Sequence, residues 1–408
     1  MKKKIGACFL GALGSISITA IIGALAIKRS LADSIGMITS TDLFDGVDLI
    51  SMDQLEFFGF DVREQKLRHV IEETLDQCRY IDPEIIKPLE SDLKEIEHFI
   101  YPGINFNCGQ AINALSSISD QSEIPVRKIA NSIESGLRHF KESRGLDDLI
   151  VINLASTEPI LELQPCHDDL SLLEHAIDSN LCGAFRASSI YAYAAIRSKC
   201  PYINFTPSNG ALFPAMLELA HEHGVPVMGN DGKTGETLVK SALAPMFKSR
   251  NLQVLSWEGF NILGNLDGKV LDHPDNRESK IRTKDALLPK ILGYSPHSSI
   301  QINYVPSLDD MKTAWDFIHF KGFLGTKMSL QFIWQGLDSM LAAPLALDLV
   351  RLAEFAHRRG ESGLMPHLAS YFKAPLGVEE HGFSEQFALL ASYVSDYRAT
   401  HNSVGAPS

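Results

Sequence analysis

The sequence predicts an α/β fold: a Rossmann-like, doubly wound parallel sheet with an inserted α+β domain. Short runs of apolar and β-branched residues, such as 5–10 and 148–154, are typical of strands buried on both faces. Segments with helical spacing separate these runs, so strands and helices alternate along the first half of the chain. After residue 252 three strand-like segments follow one another, which predicts a second, open sheet.

The apolar stretch 5–27 allows two interpretations, because it follows three lysines as a signal peptide or membrane anchor would. The alternative is a buried strand over 5–10, a turn, and a helix over 16–26. We favour the strand and helix, because Gly11 and Gly14 interrupt the apolar run. Ser15 and Ser17 then place hydroxyls at the helix start, where backbone N–H groups need partners, and Lys28 suits the helix end.

The remaining elements follow in order. Short apolar pieces over 37–62 end in a strand tip at 58–62. We expect helices in the charged segments 63–100 and 120–145. Further along, the pattern predicts a strand over 148–154, a helix over 188–197, a strand over 202–206, a helix over 212–223 and a strand over 225–228. The later region reads as strands over 254–257, 299–305 and 329–334, one helix over 309–320, and an apolar helix over 341–359.

This pattern divides the chain into two domains. Residues 1–237 together with 338–408 would form the Rossmann-like domain, and residues 238–337 the inserted domain. The net charge of -13 argues against a nucleic-acid binder and against binding to anionic membranes. The six cysteines form no CxxC pair, so we expect reduced thiols in a cytoplasmic protein. Cys108 is a weak candidate nucleophile, because no His or Asp spacing supports it.

A lysine-containing turn is the strongest chemical signal in the sequence. Residues 229–235, Gly-Asn-Asp-Gly-Lys-Thr-Gly, follow the strand 225–228 and offer backbone N–H groups, a hydroxyl and an ammonium, which suit a phosphate. Four more lysines stand beside Ser, Asp or Phe in an otherwise acidic chain: Lys280, Lys284, Lys312 and Lys373. Together they indicate a pocket for an anionic, oxygen-rich substrate.

The first glycine turn is a weaker signal, because glycines 11 and 14 do not fit GxGxxG. It is either a plain tight turn or a helix N-terminus that holds the pyrophosphate of a dinucleotide. Asp61, at the tip of a later strand, is either a ribose-binding carboxylate or an exposed acid. The residues alone leave both questions open.

Taken together, these motifs resemble the myo-inositol-phosphate synthases, NAD-dependent cyclases of glucose 6-phosphate. The resemblance covers nearly the whole chain. Its most specific segments are 58–61, 153–158, 200–207, 229–235, 263–268, 279–280 with 284, 310–312, 341–344 and 372–375.

The resemblance implies roles for individual residues. The cofactor NAD would be bound by Gly11, Gly14, Ser15, Asp61, Ser156, Thr157, Asp231 and Asp267. The sugar phosphate would be bound by Thr234, Gly235, Leu263, Asn265 and Asp310. The catalytic residues would be Lys373 at the C5 hydroxyl, Lys280 near the C1 aldehyde oxygen, and Lys284 and Lys312 holding phosphate and enolate charge. Asp231 and Asp267 would position the nicotinamide, a lysine or a metal ion, and the need for a metal stays open.

The resemblance also implies oxidation at C5, enolisation, aldol closure between C6 and C1, and reduction back at C5, in a homo-oligomer, expected to be a tetramer. Two residues depart from the family pattern: Glu236 stands where an amide is common, and Asn230 where an acid is common. Two alternatives therefore remain, a related cyclase for another sugar phosphate and an NAD-binding regulator without catalysis. We expect surface positions on helices for Glu218, His221, Glu222, His223 and Glu236.

Overall fold

The computed structural model describes residues 3–78, 80–273, 275–276 and 287–404. Within these ranges the strands are β1 (Ile5–Leu10), β2 (Leu55–Asp61), β3 (Ile100–Pro102), β4 (Asp148–Asn153), β5 (Tyr202–Asn204), β6 (Pro226–Gly229), β7 (Gln253–Leu263), β8 (His297–Tyr304), β9 (Met311–Lys321), β10 (Lys327–Leu337) and β11 (Gly363–Leu364). The helices are α1 (Ser15–Lys28), α2 (Leu67–Cys78), α3 (Pro83–Ile86), α4 (Glu90–Glu97), α5 (Gln110–Asn113), α6 (Val126–Arg144), α7 (Leu170–Asp178), α8 (Ala187–Arg197), α9 (Pro214–His223), α10 (Glu236–Ser249), α11 (Leu266–Leu271), α12 (Leu287–Leu292), α13 (Asp338–Arg358) and α14 (Phe383–Val404).

The first sheet is parallel and doubly wound, as the sequence predicts. Its strand order over the described residues is β11-β6-β5-β4-β1-β2-β3. The chain therefore moves outward from β1 to β3 on one side and from β4 to β6 on the other. The strand order reverses between β1 and β4, and in such sheets ligands bind beyond the carboxyl ends of the strands at that point.

Both faces of this sheet are covered, which explains its continuous apolar strands. Phe9 on β1 points into a core built with α1 and α13, whereas its neighbour Cys8 points into a core built with α6, α8 and α9. The segment 5–27 is thus a strand and a helix, as expected. Of the helices described, none is long and apolar enough to cross a membrane.

The second sheet has the order β10-β9-β7-β8 within the described part of the chain. Here one prediction is wrong: residues 309–320 do not form a helix but lie mostly in β9, which is antiparallel to β7 and β10. Alternate residues of β9 are buried, namely Lys312, Ala314, Asp316 and Ile318. The period of two is carried partly by buried charged residues, so a search for apolar periodicity misses the strand.

The two sides of the second sheet differ. Helices α10 and α12 cover its inner face, where Phe247, Trp257 and Ile318 form a small core. On the outer face Trp315 of β9 is 38% exposed and its register partner Ile333 of β10 is 66% exposed. The outer face is therefore an apolar surface of the described chain.

Candidate functional site

A cleft of about 520 Å³ lies at the carboxyl ends of the first sheet and extends beneath the loops of the second. This volume is in the range of small-molecule sites, about 300–1,000 Å³. Most of the predicted site residues line it: Gly11, Gly14, Ser15, Asp61, Ser156, Thr157, Asp231, Thr234, Asn265, Asp267, Asp310 and Lys373. Residues separated by more than 300 positions in the sequence therefore share one cleft.

The turn between β1 and α1 forms one end of the cleft. Gly11 has φ of +79°, which favours glycine, and a Cβ there would lie 2.9 Å from the Ala155 Cα atom. Both the backbone conformation and the lack of space therefore exclude a side chain at this position. The Ser17 hydroxyl does not cap the helix as expected but donates to the Gly11 carbonyl at 2.8 Å. The turn is thus held from within, and helix α1 directs its N-terminus towards the cleft, an arrangement that suits an anion.

Asp61, at the end of β2, connects that strand to the glycine turn. One carboxylate oxygen accepts a hydrogen bond from the Leu13 N–H group at 2.8 Å, and the other accepts from the Arg63 N–H group at 2.9 Å. The Arg63 guanidinium also lies 3.3 Å from the Asp61 carboxylate and lines the cleft. Arg63 was not predicted as a site residue from the sequence. Its position two residues after Asp61, the acid at the end of β2, could have indicated that it lies at the same site.

A ladder of amide side chains joins the carboxyl ends of β4, β5 and β6. Asn204 on β5 donates to the Asn230 side-chain oxygen at 2.7 Å. The side-chain oxygen of Asn204 accepts hydrogen bonds from the Thr206 hydroxyl at 2.8 Å and from the Asn153 side-chain amide at 3.4 Å. Asn230, noted above as a departure from the family pattern, therefore has a partner, and the ladder fixes the start of the lysine-containing turn.

The turn is paired with the segment that carries Lys373. The Lys233 N–H group donates to the Tyr371 carbonyl at 2.8 Å, and the Lys373 N–H group donates to the Asp231 carbonyl at 2.6 Å. This pairing places the Lys373 Nζ atom 2.8 Å from the Asp231 carboxylate, with side-chain exposures of 6% and 5%. A buried ammonium with a carboxylate counter-charge thus lies at the wall of the cleft.

Lys233 is a second buried lysine of the same turn, and it does not line the cleft. Its Nζ atom donates to the Gln386 side-chain oxygen on α14. Burial, and then the charge of Lys373, lower the pKa of Lys233 to about 7. The sequence predicts this lysine as part of a phosphate motif. The fold shows that its side chain extends away from the cleft, towards Gln386.

Thr234 and Lys312 converge on one carboxylate, Asp338. The Thr234 hydroxyl lies 3.2 Å from the Asp338 carboxylate, and the Lys312 Nζ atom lies 3.6 Å from the same oxygen. Asp338 begins α13 and lines the cleft, whereas Lys312 is 7% exposed and reaches the site through Asp338. Sequence reasoning missed Asp338, because a single acid before an apolar helix looks like an ordinary helix start.

Asp310 is held by the same end of α13. Its carboxylate accepts from the Ser339 N–H group at 3.0 Å and from the Ser339 hydroxyl at 2.6 Å, and Asn265 approaches it at 3.4 Å. Burial is the largest effect on Asp310 and raises its pKa. The loops that precede β9 and α11 are therefore fixed to the start of α13.

Several predicted residues lie elsewhere. Gly235 and Leu263 are not among the residues that line the cleft; Leu263 packs against Gly268, and Gly235 faces the Trp334 indole. Lys280 and Lys284 lie outside the described residues.

Glu236 was expected on the surface, and that prediction is wrong, because the residue is 2% exposed and forms an ion pair with Lys240.

Cys108 lines the cleft but lacks the features of a nucleophile. Burial raises the pKa of its thiol to about 12, and the nearby Glu158 acts in the same direction. The thiol therefore stays protonated at neutral pH. Within the described ranges, no group of three or more His, Cys, Asp or Glu side chains is placed to hold a metal ion.

A doubly wound parallel sheet, a glycine turn with a strand-end carboxylate, and a cleft at the reversal of strand order define the class of dinucleotide-binding α/β enzymes. Sequence comparison is more specific. The chain belongs to the myo-inositol-1-phosphate synthase family, an NAD-binding family whose model matches residues 5–394.

Individual relatives agree with this assignment. The chain is 32% identical to inositol-3-phosphate synthase 1 of Bacteroides thetaiotaomicron, over 93% of this chain and 91% of the relative. Its structure resembles that of inositol-3-phosphate synthase from Caenorhabditis elegans, with a TM-score of 0.87, 26% identity, and coverage of 97% of this chain and 86% of the other. A myo-inositol-1-phosphate synthase-related protein from Thermotoga maritima shares the fold, with a TM-score of 0.78, 23% identity, and coverage of 96% and 98%.

Proposed function

We propose that this protein converts D-glucose 6-phosphate to 1D-myo-inositol 3-phosphate with NAD as a bound cofactor. The observation that carries the proposal is the convergence of two sites in one cleft: a dinucleotide turn with Asp61, and the Lys373–Asp231 pair with Thr234. Family membership supports the same reaction. A dinucleotide site beside a buried lysine is what an oxidation of a sugar hydroxyl requires, because a hydride and a proton must both be removed.

The residues at this end of the cleft fit NAD. The glycine turn and the N-terminus of α1 would hold the pyrophosphate, Asp61 an adenosine ribose hydroxyl, and Ser156, Thr157, Asp231 and Asp267 the nicotinamide half. When bound, NAD accepts the hydride from C5 of the sugar and later returns it to C5.

Lys373 would act at the C5 oxygen. Oxidation removes a hydride from C5 and a proton from its hydroxyl, and Lys373 would take up that proton as a neutral amine, its ammonium having released one proton before the hydride leaves. The resulting ammonium polarises the C5 carbonyl, and the Asp231 carboxylate 2.8 Å away stabilises it. The C5 carbonyl acidifies the C6 hydrogen, whose loss leaves an enolate with its charge on the C5 oxygen.

Ring closure then forms the C6–C1 bond, and the C1 aldehyde oxygen becomes a hydroxyl by taking up one proton, which balances the proton lost from C6. We assign Lys280 to that oxygen, and Lys284 to phosphate and enolate charge, on the strength of the family resemblance. Thr234 and the Lys312–Asp338 pair would bind the phosphate end. Hydride return at C5, with return of the proton from Lys373 to the C5 oxygen, completes a reaction without net oxidation.

The proposal includes a homo-oligomer, expected to be a tetramer, formed through the inserted domain. The exposed apolar face with Trp315 and Ile333 supports it, as do Phe323 and Leu324, which are 88% and 87% exposed at the β9–β10 turn. A cytoplasmic location is part of the same proposal, since Cys8, Cys108, Cys166, Cys182 and Cys200 are free thiols.

The test is incubation of the purified protein with NAD+ and glucose 6-phosphate, with the product identified by NMR. We expect inositol 3-phosphate from the native protein and none from Lys373→Met. Cyclisation of a different hexose phosphate, with none of glucose 6-phosphate, would indicate the related cyclase. NAD+ binding without turnover of any sugar phosphate would indicate the regulator.

A further inference from the structure

A cluster of three buried charged residues lies between helix α10 and the second sheet, and the proposed mechanism does not use it. Glu236 and Lys240 on α10 and Asp316 on β9 are 2%, 1% and 0% exposed. The Lys240 Nζ atom lies 2.6 Å from the Glu236 carboxylate and 3.5 Å from the Asp316 carboxylate. We call this set the α10–β9 cluster.

Its surroundings are shaped to hold it. The indole N–H group of Trp257 donates to the Asp316 carboxylate at 2.7 Å, and the Lys240 Nζ atom lies 5.7 Å from the Trp257 ring centroid. Gly259, the register partner of Asp316 on β7, leaves the necessary space. A Cβ there would lie 2.7 Å from the Glu236 carboxylate and 3.1 Å from the Lys240 Nζ atom.

The cluster contains two carboxylates and one ammonium, so it carries a net negative charge when all three groups are ionised. Burial, and then the charge of Glu236, raise the pKa of Asp316 to about 6. Protonation of Asp316 therefore brings the cluster close to neutral at pH 5.5, and the cluster is negative at pH 8. Apolar residues of similar volume are often at least as stabilising as a buried ion pair, so stability alone does not account for it.

Its position connects it to the phosphate end of the cleft. Glu236 begins α10 immediately after Thr234 and Gly235. Asp316 lies on the buried face of β9 together with Lys312, two alternate positions earlier. Thr234 and Lys312 converge on Asp338 from these two elements, so the cluster fixes the distance between them.

We propose that the α10–β9 cluster is a positioning unit for the phosphate of the substrate, and that its negative charge makes phosphate binding weaker as the pH rises. The proposal rests on the proposed function for the identity of the phosphate ester and for its place at Thr234 and the Lys312–Asp338 pair. Among the described residues, the charged groups in contact with one another in the cluster are its own three members. Lys312 and Asp338 pair with each other at the cleft, and Lys233, whose pKa is about 7, lies in the turn before α10. Binding a dianion beside the cluster favours its protonated, neutral form.

The decisive variant is Glu236→Gln, which keeps the shape of the side chain and leaves Lys240 and Asp316 as a neutral pair. At pH 8 we expect a KM for glucose 6-phosphate about threefold to tenfold below that of the native protein, with kcat within about twofold. At pH 5.5 the two KM values should agree. The matched control is Glu222→Gln, the same change at an exposed position on α9, which should follow the native profile.

Asp316→Asn should reproduce the effect of Glu236→Gln, because either change removes one carboxylate from the cluster. A purely structural role would lower the unfolding temperature of both variants and leave the ratio of KM values independent of pH. Equal KM profiles for the native protein and Glu236→Gln, or the same change in Glu222→Gln, would overturn the proposal.

A binding measurement separates this inference from the proposed function. Sulfate does not titrate between pH 5.5 and 8, and its binding is measured calorimetrically without NAD+ or sugar. The native protein should bind sulfate more weakly at pH 8 than at pH 5.5 by about threefold to tenfold, and Glu236→Gln should remove most of that difference. Absence of the difference overturns the inference even if glucose 6-phosphate is cyclised. Its presence supports the inference even if glucose 6-phosphate is not the substrate.

Discussion

Replacing Lys233 by methionine is expected to stabilise the protein at neutral pH and destabilise it at high pH. Lys233 is 2% exposed, and the partner of its Nζ atom is the neutral side chain of Gln386 rather than a carboxylate. Methionine has a similar length and no charge. The variant therefore removes a buried ammonium and one hydrogen bond.

The magnitude follows from the pKa of Lys233, which falls from 10.5 to about 7 in the folded protein. The difference, 10.5 − 7, is about 3.5, and at about 1.36 kcal/mol for each pKa unit it corresponds to roughly 5 kcal/mol. Because the folded pKa lies below the unfolded one, this penalty is fully present below pH 7. It decreases as the pH rises from 7 and is absent above 10.5.

Against this gain stands Gln386, which is 0% exposed and loses its donor. A buried acceptor without its donor costs about 1–3 kcal/mol at every pH. The net expectation is that Lys233→Met is about 3 kcal/mol more stable than the native protein at pH 6–7, and about 2 kcal/mol less stable near pH 10.5. The difference in the free energy of unfolding therefore changes sign between these pH values.

The assay is urea unfolding of both proteins at pH 6.5, 8 and 10, supported by thermal melts. Lys373→Met is the matched control, because it removes the other buried lysine of the same turn, whose counter-charge is Asp231. Breaking a buried pair costs about 3–5 kcal/mol, so this variant should be destabilised at all three pH values. A Lys233→Met protein that is destabilised equally at pH 6.5 and 10 would refute the reasoning.

Two further predictions concern the cleft. Lys312→Met removes an ammonium proposed to hold phosphate and enolate charge, and we expect kcat/KM for glucose 6-phosphate to fall by about 10²–10³ in steady-state assays, with a change below tenfold contradicting the assignment. Gly232→Ala places a Cβ 2.1 Å from the Phe205 Cζ atom, too close for the ring to keep its position. This change should lower the free energy of unfolding by about 1–3 kcal/mol. Gly183→Ala is its control, because a Cβ there meets nothing within 4 Å and should change the unfolding temperature little.

Most of the first domain could be predicted from the sequence because its strands are buried on both faces. Continuous apolar runs such as the one that forms β1 are recognisable without any knowledge of neighbours. The second sheet was harder to predict. Strand β9 alternates Lys312, Ala314 and Asp316 on its buried face, and such residues look exposed until their partners are known.

The site shows the same division. The lysine-containing turn and the segment of Lys373 were recognisable as motifs, and both lie at the cleft. Their catalytic roles stay predictions. Asp338 was missed as a functional position, and Lys233 was assigned to the phosphate motif although it contacts Gln386, because both depend on contacts with residues far away in the sequence. Glu236 was misplaced for the same reason: its ammonium partner is on the same helix, but Asp316 and the space over Gly259 come from the second sheet.

By itself, the sequence determined the α/β class, the parallel first sheet, the strand–turn–helix at the N-terminus and the family resemblance, because these depend on local residue patterns. The tertiary structure alone decided which charges are buried and which partners they have. Lys373 meets Asp231, Lys233 meets Gln386, and Lys240 meets two carboxylates. The physical reason is that the charge state of a buried group depends on its burial and its neighbours, and both are set by residues brought together only when the chain folds.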